Sequence, residues 1–233
     1  MRIVAHRGFS EKFPENTIIA FKEAIAAGVS AIECDVQEVD DEFYVFHDWS
    51  LDRLTNEQGS IKRLNSEQLS DIRVQDLHKI PTVSDVFSAV NGKVLLNLEL
   101  KSIDNPLAFI RRLNSLMNEF ETELVLSSFD HPTLINVRSL LRDSRCQHKI
   151  RYAGLISHLP ITKAQYAVDL ELDIAAIDAH LVNGAFVKHA HQHNIEVWSY
   201  TVNEEVLLRE LDVMKVDAIF SDKVSWALDL LGK

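Results

Sequence analysis

Eight short apolar runs recur along the chain, each followed by a longer stretch whose apolar residues stand three and four apart. The runs cover residues 2–6, 31–36, 94–100, 123–128, 151–156, 174–178, 195–200 and 218–221. Runs of this length read as strands, and the spacing between them reads as amphipathic helix. Ile18, Ile19, Phe21, Ala24 and Ile25 make one helical face, and Leu107, Phe109, Ile110, Leu113, Leu116 and Met117 another. Residues 130–142, 204–214 and 224–231 follow suit, while the periodicity is weakest over 143–173. Strands alternating with helices imply parallel pairing through right-handed crossovers. Eight such units predict an α/β fold, the (β/α)8 TIM barrel, and 233 residues suit a barrel of roughly 200 to over 400. A doubly wound open sheet is the alternative; the number of strands favours the barrel.

One connection is long. After residue 36 comes an extra β-like run at 43–47 and a polar stretch at 50–79, before Pro81-Thr82 starts a helix. The expectation is one domain, 1–233, with an insertion at about 49–80 over the mouth of the barrel, since long excursions after a strand are usually functional loops. Lys and Arg total 24 against 35 Asp and Glu, a net charge of −11, so the overall field repels polyanions and disfavours nucleic acid or an anionic membrane as partner. Cys34 and Cys146 are too few for a disulfide framework and read as reduced thiols, with Cys34 on the helix-facing side of its strand. Residues 1–6 do not resemble a signal peptide, and no apolar run approaches the ~18 residues of a membrane span. These features lead us to expect a cytoplasmic protein without stable membrane insertion, monomeric or homodimeric.

Period two along the strands separates packing from chemistry. Ile32, Cys34 and Val36 share one face, Glu33 and Asp35 the other; Leu96, Leu98 and Leu100 lie opposite Asn97, Glu99 and Lys101. If the apolar set meets the helices, the carboxylates point into the barrel mouth. Pairs ~6.5 Å apart at an effective dielectric of ~20 repel by about 2.5 kcal/mol each. Three pairs among Glu33, Asp35 and Glu99 would then cost roughly 7 kcal/mol, comparable to a domain's stability. A divalent cation resolves this, and all-oxygen ligands select Mg²⁺ or Ca²⁺. Ion pairs with Arg7 and Lys101, or one retained proton, are the other resolution. His6 and His47 end strand-like runs, and each adjoins a charged residue, so both are candidates for proton transfer near neutral pH. Asp178-Ala179-His180 and Ser221-Asp222 also end strands, and there we expect structural hydrogen bonding. His189, His191 and His193 are expected to be surface residues.

Several of these residues together carry a resemblance. His6-Arg7-Gly8, Pro14-Glu15-Asn16-Thr17 with Ala20-Phe21, Glu33-Cys34-Asp35-Val36, and His47-Asp48 with Leu51-Asp52-Arg53, Thr55 and Gly59 resemble the glycerophosphodiester phosphodiesterase family. So do Pro81-Thr82, Asn97-Leu98-Glu99-Leu100-Lys101, Ser127-Ser128-Phe129-Asp130 and Val197-Trp198 through Asn203, in the same order over most of the chain. The resemblance implies a barrel that hydrolyses glycerophosphodiesters, such as glycerophosphocholine or glycerophosphoethanolamine, to glycerol 3-phosphate and an alcohol. It places metal ligands on Glu33, Asp35 and Glu99, the catalytic pair on His6 and His47, and phosphate contacts on Arg7 and Lys101. Trp198 would form an aromatic wall beside the substrate. Val39-Asp40-Asp41, where the family commonly has Thr-x-Asp-Gly, and Leu54, where a second Thr is usual, depart from the pattern in a turn and the insertion. Two other readings are a phospholipase D-like enzyme acting on lysophospholipids, disfavoured by the polar 50–79 stretch, and a non-catalytic phosphodiester-binding protein, disfavoured by the full set of histidines and carboxylates.

Overall fold

The computed structural model describes residues 1–144 and 148–232. Its strands are β1 (Arg2–Ala5), β2 (Ala31–Val39), β3 (Glu42–Val45), β4 (Arg73–Val74), β5 (His78–Lys79), β6 (Leu95–Ser102), β7 (Leu124–Ser128), β8 (Ile150–Ile156), β9 (Ile174–Asp178), β10 (Glu196–Tyr200) and β11 (Ala218–Ser221). Parallel pairing runs in the order β1, β11, β10, β9, β8, β7, β6, β2, and a further β1–β2 pairing closes the ring. The expected (β/α)8 barrel is thus the fold, and the open sheet is excluded by that closure. Cys146 lies outside the described residues; Cys34 is a buried free thiol.

The strand alternation resolves as expected. Ile32, Cys34, Val36, Leu96, Leu98 and Leu100 belong to the large core between barrel and helices. Inside the barrel, Val4, Ala31, Leu95, Val125, Ile174, Ala176, Trp198, Ala218 and Phe220 pack against one another. This interior plug is a packed core rather than a pore. The helices begin where side chains satisfy the first free amides: the hydroxyl of Thr17 caps Ile18–Ala26, and the Asn105 and Asp130 side chains cap Pro106–Glu119 and His131–Asp143.

The connection after β2 differs from the polar excursion its composition suggests. β3 turns back antiparallel on β2, and a 3-10 turn (Ile61–Arg63), a short helix (Ser66–Asp71) and the β4–β5 hairpin follow. Val39, Tyr44, Phe46, Leu51, Leu54, Ile61, Leu69, Ile72, Val74 and Ile80 form a small core of their own. Apart from Val39 at the end of β2, its members come from turns and short elements, so no single period marks them in sequence.

Candidate active site

The first turn after β1 is built around an unusual backbone. Arg7 (φ 58°) and Gly8 (φ 83°) both take left-handed conformations. A Cβ on Gly8 would lie 2.8 Å from the Ala20 backbone, so only glycine lets this turn close onto the first helix. Strain of this kind at Arg7 costs about 1–3 kcal/mol and persists where the surroundings over-determine it. Here it aims the Arg7 amide at Glu33 Oε2, 2.9 Å away. The Pro14-Glu15-Asn16-Thr17 segment closes over the same turn. Asn16, also left-handed, donates its backbone N–H to the Arg7 carbonyl and its side-chain amide to Asp35 Oδ2 at 2.8 Å.

Glu33, Asp35 and Glu99 converge: one ligand atom from each lies within 4.8 Å of the others, and all three residues are buried. The two neighbouring cations do not serve them equally. Arg7 Nε sits 3.2 Å from Asp35, while its Nη1 is bonded to Glu15 at 2.8 Å. Lys101 Nζ is 2.8 Å from Glu99 and 3.5 Å from Asp35. Among the described residues Glu33 makes no side-chain ion pair, feeling the charge of Arg7 only from farther off, and its Oε1 is buried without a hydrogen-bond donor. The amide of Asn97, level with Glu33 on the adjoining strand, is likewise unpaired. Ionisation follows this arrangement. Burial, then the charges of Asp35 and Glu99, push Glu33 well above the usual carboxylate range. Burial and Asp35 raise Glu99, partly offset by Lys101. Burial would raise Asp35 too, but Arg7, Lys101, His47 and the Asn16 bond hold it low. The trio as a whole is thus left short of positive charge, Glu33 most of all, with an orphaned oxygen on it. An all-oxygen donor set of this kind fits a hard dication.

Each histidine is held by an aspartate. His6 Nδ1 lies 2.8 Å from Asp222 Oδ1, which also accepts the Ser10 hydroxyl, while Asp222 Oδ2 accepts the Asn203 amide. His47 Nδ1 lies 2.6 Å from Asp48 Oδ1. Asp222 would be raised by burial, but bonds from His6, Asn203 and Ser10 bring it to about 2. Asp48 reaches about 2 chiefly through its bond from Arg53. Both aspartates are therefore acceptors at neutral pH; each draws the Nδ1 proton, leaving Nε2 for chemistry. His47 reaches the cluster because the Phe46 amide bonds the Asp35 carbonyl at 3.0 Å and buried Gln37 donates to the Phe46 and Asp48 carbonyls. A cavity of about 350 Å³ opens beside His6, Arg7, Asn203 and Lys223.

The structure brings seven of the eight singled-out residues to one end of the barrel, and Trp198 elsewhere. Its indole is wholly inaccessible within the interior plug, its Nε1 donates to Glu196 and the Arg151 guanidinium lies over it. It cannot wall the substrate. Register explains this: Trp198 pairs with Ala176 and Ala218, below the mouth, and Tyr200 comes next on that face. Sequence reasoning favoured a structural role for Asp222 and gave Glu15, Asn16, Asp48 and Arg53 no part in the reaction. Alternation could have flagged Asp222, which is in step with inward-facing Phe220. Of the histidines expected at the surface, exposed His191 pairs with Asp217, while half-buried His189 meets the ring of exposed His193 at a 41° tilt.

Residues 6–225 match the model of the glycerophosphoryl diester phosphodiesterase family. The chain belongs to that family. It is thereby a phosphodiesterase, in agreement with the resemblance carried by its motifs. A glycerophosphodiester phosphodiesterase of Caldanaerobacter subterraneus subsp. tengcongensis is 29% identical, covering 99% of this chain and 98% of its own. One from Bacillus altitudinis is 31% identical, covering 95% and 94%. In fold, the chain is similar to an Oleispira antarctica phosphodiesterase solved with its product sn-glycerol-3-phosphate, with a TM-score of 0.88, 23% identity, and coverage of 100% and 97%. Among the described residues, no helix is long and apolar enough to cross a membrane.

Proposed function

We propose that the chain hydrolyses glycerophosphodiesters, glycerophosphocholine or glycerophosphoethanolamine among them, to glycerol 3-phosphate and an alcohol. The observation that carries this reading is the pairing of two aspartate-held histidines with a buried trio of carboxylates short of positive charge. Glu33, Asp35 and Glu99 would hold Mg²⁺ or Ca²⁺, which when bound supplies Lewis-acid polarisation of the phosphodiester. Arg7 and Lys101 offset charge on the non-bridging oxygens. His6 Nε2 takes the proton of the nucleophile as the new P–O bond forms. His47 Nε2 gives its proton to the leaving oxygen as the old P–O bond breaks. The nucleophile is either the neighbouring glycerol hydroxyl, giving a cyclic phosphate that water then opens, or water itself. Asp222 and Asp48 orient the two rings and stabilise the imidazolium form of each.

The test is release of glycerol 3-phosphate from glycerophosphoethanolamine, with and without EDTA. Release is expected to stop with chelator and to return with Mg²⁺ or Ca²⁺. His6→Ala and His47→Ala should each lower kcat by about 10²–10⁴ while circular dichroism stays unchanged. Full activity in EDTA would remove the metal from the reading, and full activity in either alanine variant would remove that histidine. Absence of release with every cation would favour a binding protein.

A further inference from the structure

Arg53 lies beside the site with no part in the reaction described above. It sits in the first turn of the insertion, and its side chain is 48% exposed. Its guanidinium nevertheless makes two complete forks. Nε and Nη2 donate to Asp48 Oδ2 and Oδ1 at 2.6 and 3.0 Å, and Nη1 and Nη2 donate to Glu15 Oε2 and Oε1 at 2.8 Å each. Glu15 Oε1 also takes the bond from Arg7. An unbroken path of ion pairs therefore runs from Asp35 through Arg7, Glu15, Arg53 and Asp48 to His47. An ordinary exposed ion pair contributes little, about 0–1 kcal/mol. A doubly bidentate arginine is different in kind, because its planar fork fixes the direction of both carboxylates. One of those carboxylates holds the His47 ring.

We propose that Arg53, clasped by Glu15, is a positioning residue that sets the orientation of His47 through Asp48 and fastens the insertion across the site. This inference rests on the reading of His47 as the general acid. In that step the P–O bond to the alcohol breaks, its electron pair passes to the leaving oxygen, and the Nε2 proton of His47 follows. Loss of the clasp lets Asp48 rotate and carries the imidazole with it, and a misplacement near 1 Å costs roughly 10²-fold.

The experiment measures each variant on two substrates in one preparation. From glycerophosphoethanolamine, ethanolamine leaves as an alkoxide and needs the proton; from the p-nitrophenyl ester of glycerol 3-phosphate, which keeps the same glycerol hydroxyl, p-nitrophenol leaves as a stabilised phenolate and does not. The ratio of the two rates is independent of how much protein is folded. Arg53→Gln is expected to lose about 10–100-fold in kcat on the alkyl ester and only a few-fold on the nitrophenyl ester, with KM little changed. Arg53→Lys, a point charge without the fork, should recover only part of the loss. Glu15→Gln should shift the ratio the same way and also raise KM, since it releases Arg7. An unchanged ratio in Arg53→Gln, whether both rates fall together or neither falls, overturns the proposal. An unchanged ratio in Glu15→Gln alone removes Glu15 from it. His47→Ala separates the two levels: if it too leaves the ratio unchanged, the general-acid reading fails and not merely the clasp.

Discussion

Glu33 carries the sharpest consequence at the scale of single residues. It is buried beside two other carboxylates, with one oxygen orphaned and its protonated form favoured. A carboxyl group whose folded pKa is raised contributes stability that is fully present below its unfolded value, about 4.3, and lost as pH rises through the folded value. Metal-free protein should therefore gain stability from this group on acidification from pH 8 towards pH 5. Glu33→Gln should flatten that dependence and raise the metal-free melting temperature at pH 8 by a few degrees, about 2–4 °C per kcal/mol at this size. It should also abolish stabilisation by Mg²⁺ or Ca²⁺. Melting curves in EDTA and in cation, at both pH values, check all three; a wild-type curve indifferent to cation would count against the cluster as a metal site. Asp48 and Asp222 have the opposite sign. Held at about 2, they contribute stability above about 3.9 that is lost as pH falls through about 2, so their contribution belongs to acid unfolding.

The β2–β3 hairpin shows how elements deliver His47. Its two-residue turn, Asp40–Asp41, has φ values of 53° and 60°, as a type I′ turn requires. Asp-Gly is the commoner choice there, which is the departure noticed in the sequence. Asp40 is not idle, since Oδ2 accepts the Ser66 amide and ties the turn to the insertion. Asp41 meets the left-handed requirement without the freedom of glycine. Asp41→Gly should stabilise the protein by about 0.5–1 kcal/mol, whereas Asp40→Gly gains less because it loses the Ser66 bond. Urea denaturation of the two variants compares them directly. A destabilised Asp41→Gly would show that its side chain has a role beyond the turn. The same element view explains the insertion: pinned by Gln37, and by Lys62 bonded to the Glu38 carbonyl and Asp104, it needs only a small core to hold Arg53 in place.

For the molecule as a whole, barrel closure separates support from chemistry. Trp198 fills the interior plug, flanked in the sheet by Ala176 and Ala218, whose small side chains leave room for the indole. Trp198→Ala is expected to cost about 3–5 kcal/mol and to leave KM unchanged in whatever protein remains folded. Denaturation together with substrate saturation checks this, and a raised KM without lost stability would return the indole to the substrate.

Much of this site was legible before any coordinates, because which face of a strand a side chain occupies is a local property of the backbone. Alternation alone put Glu33, Asp35, Glu99 and Lys101 on one side and Cys34 on the other. Trp198 came from the resemblance alone, which does not fix the height of the indole in the barrel, since height depends on the register between strands. Nor could alternation join His6 to Asp222, 216 residues apart, or bring Glu15 to Arg53 across 38. Those pairings exist because β1 closes against β11 and because the chain after β3 brings Arg53 back to Glu15. Local periodicity chose the inward side chains; closure of the ring chose their partners.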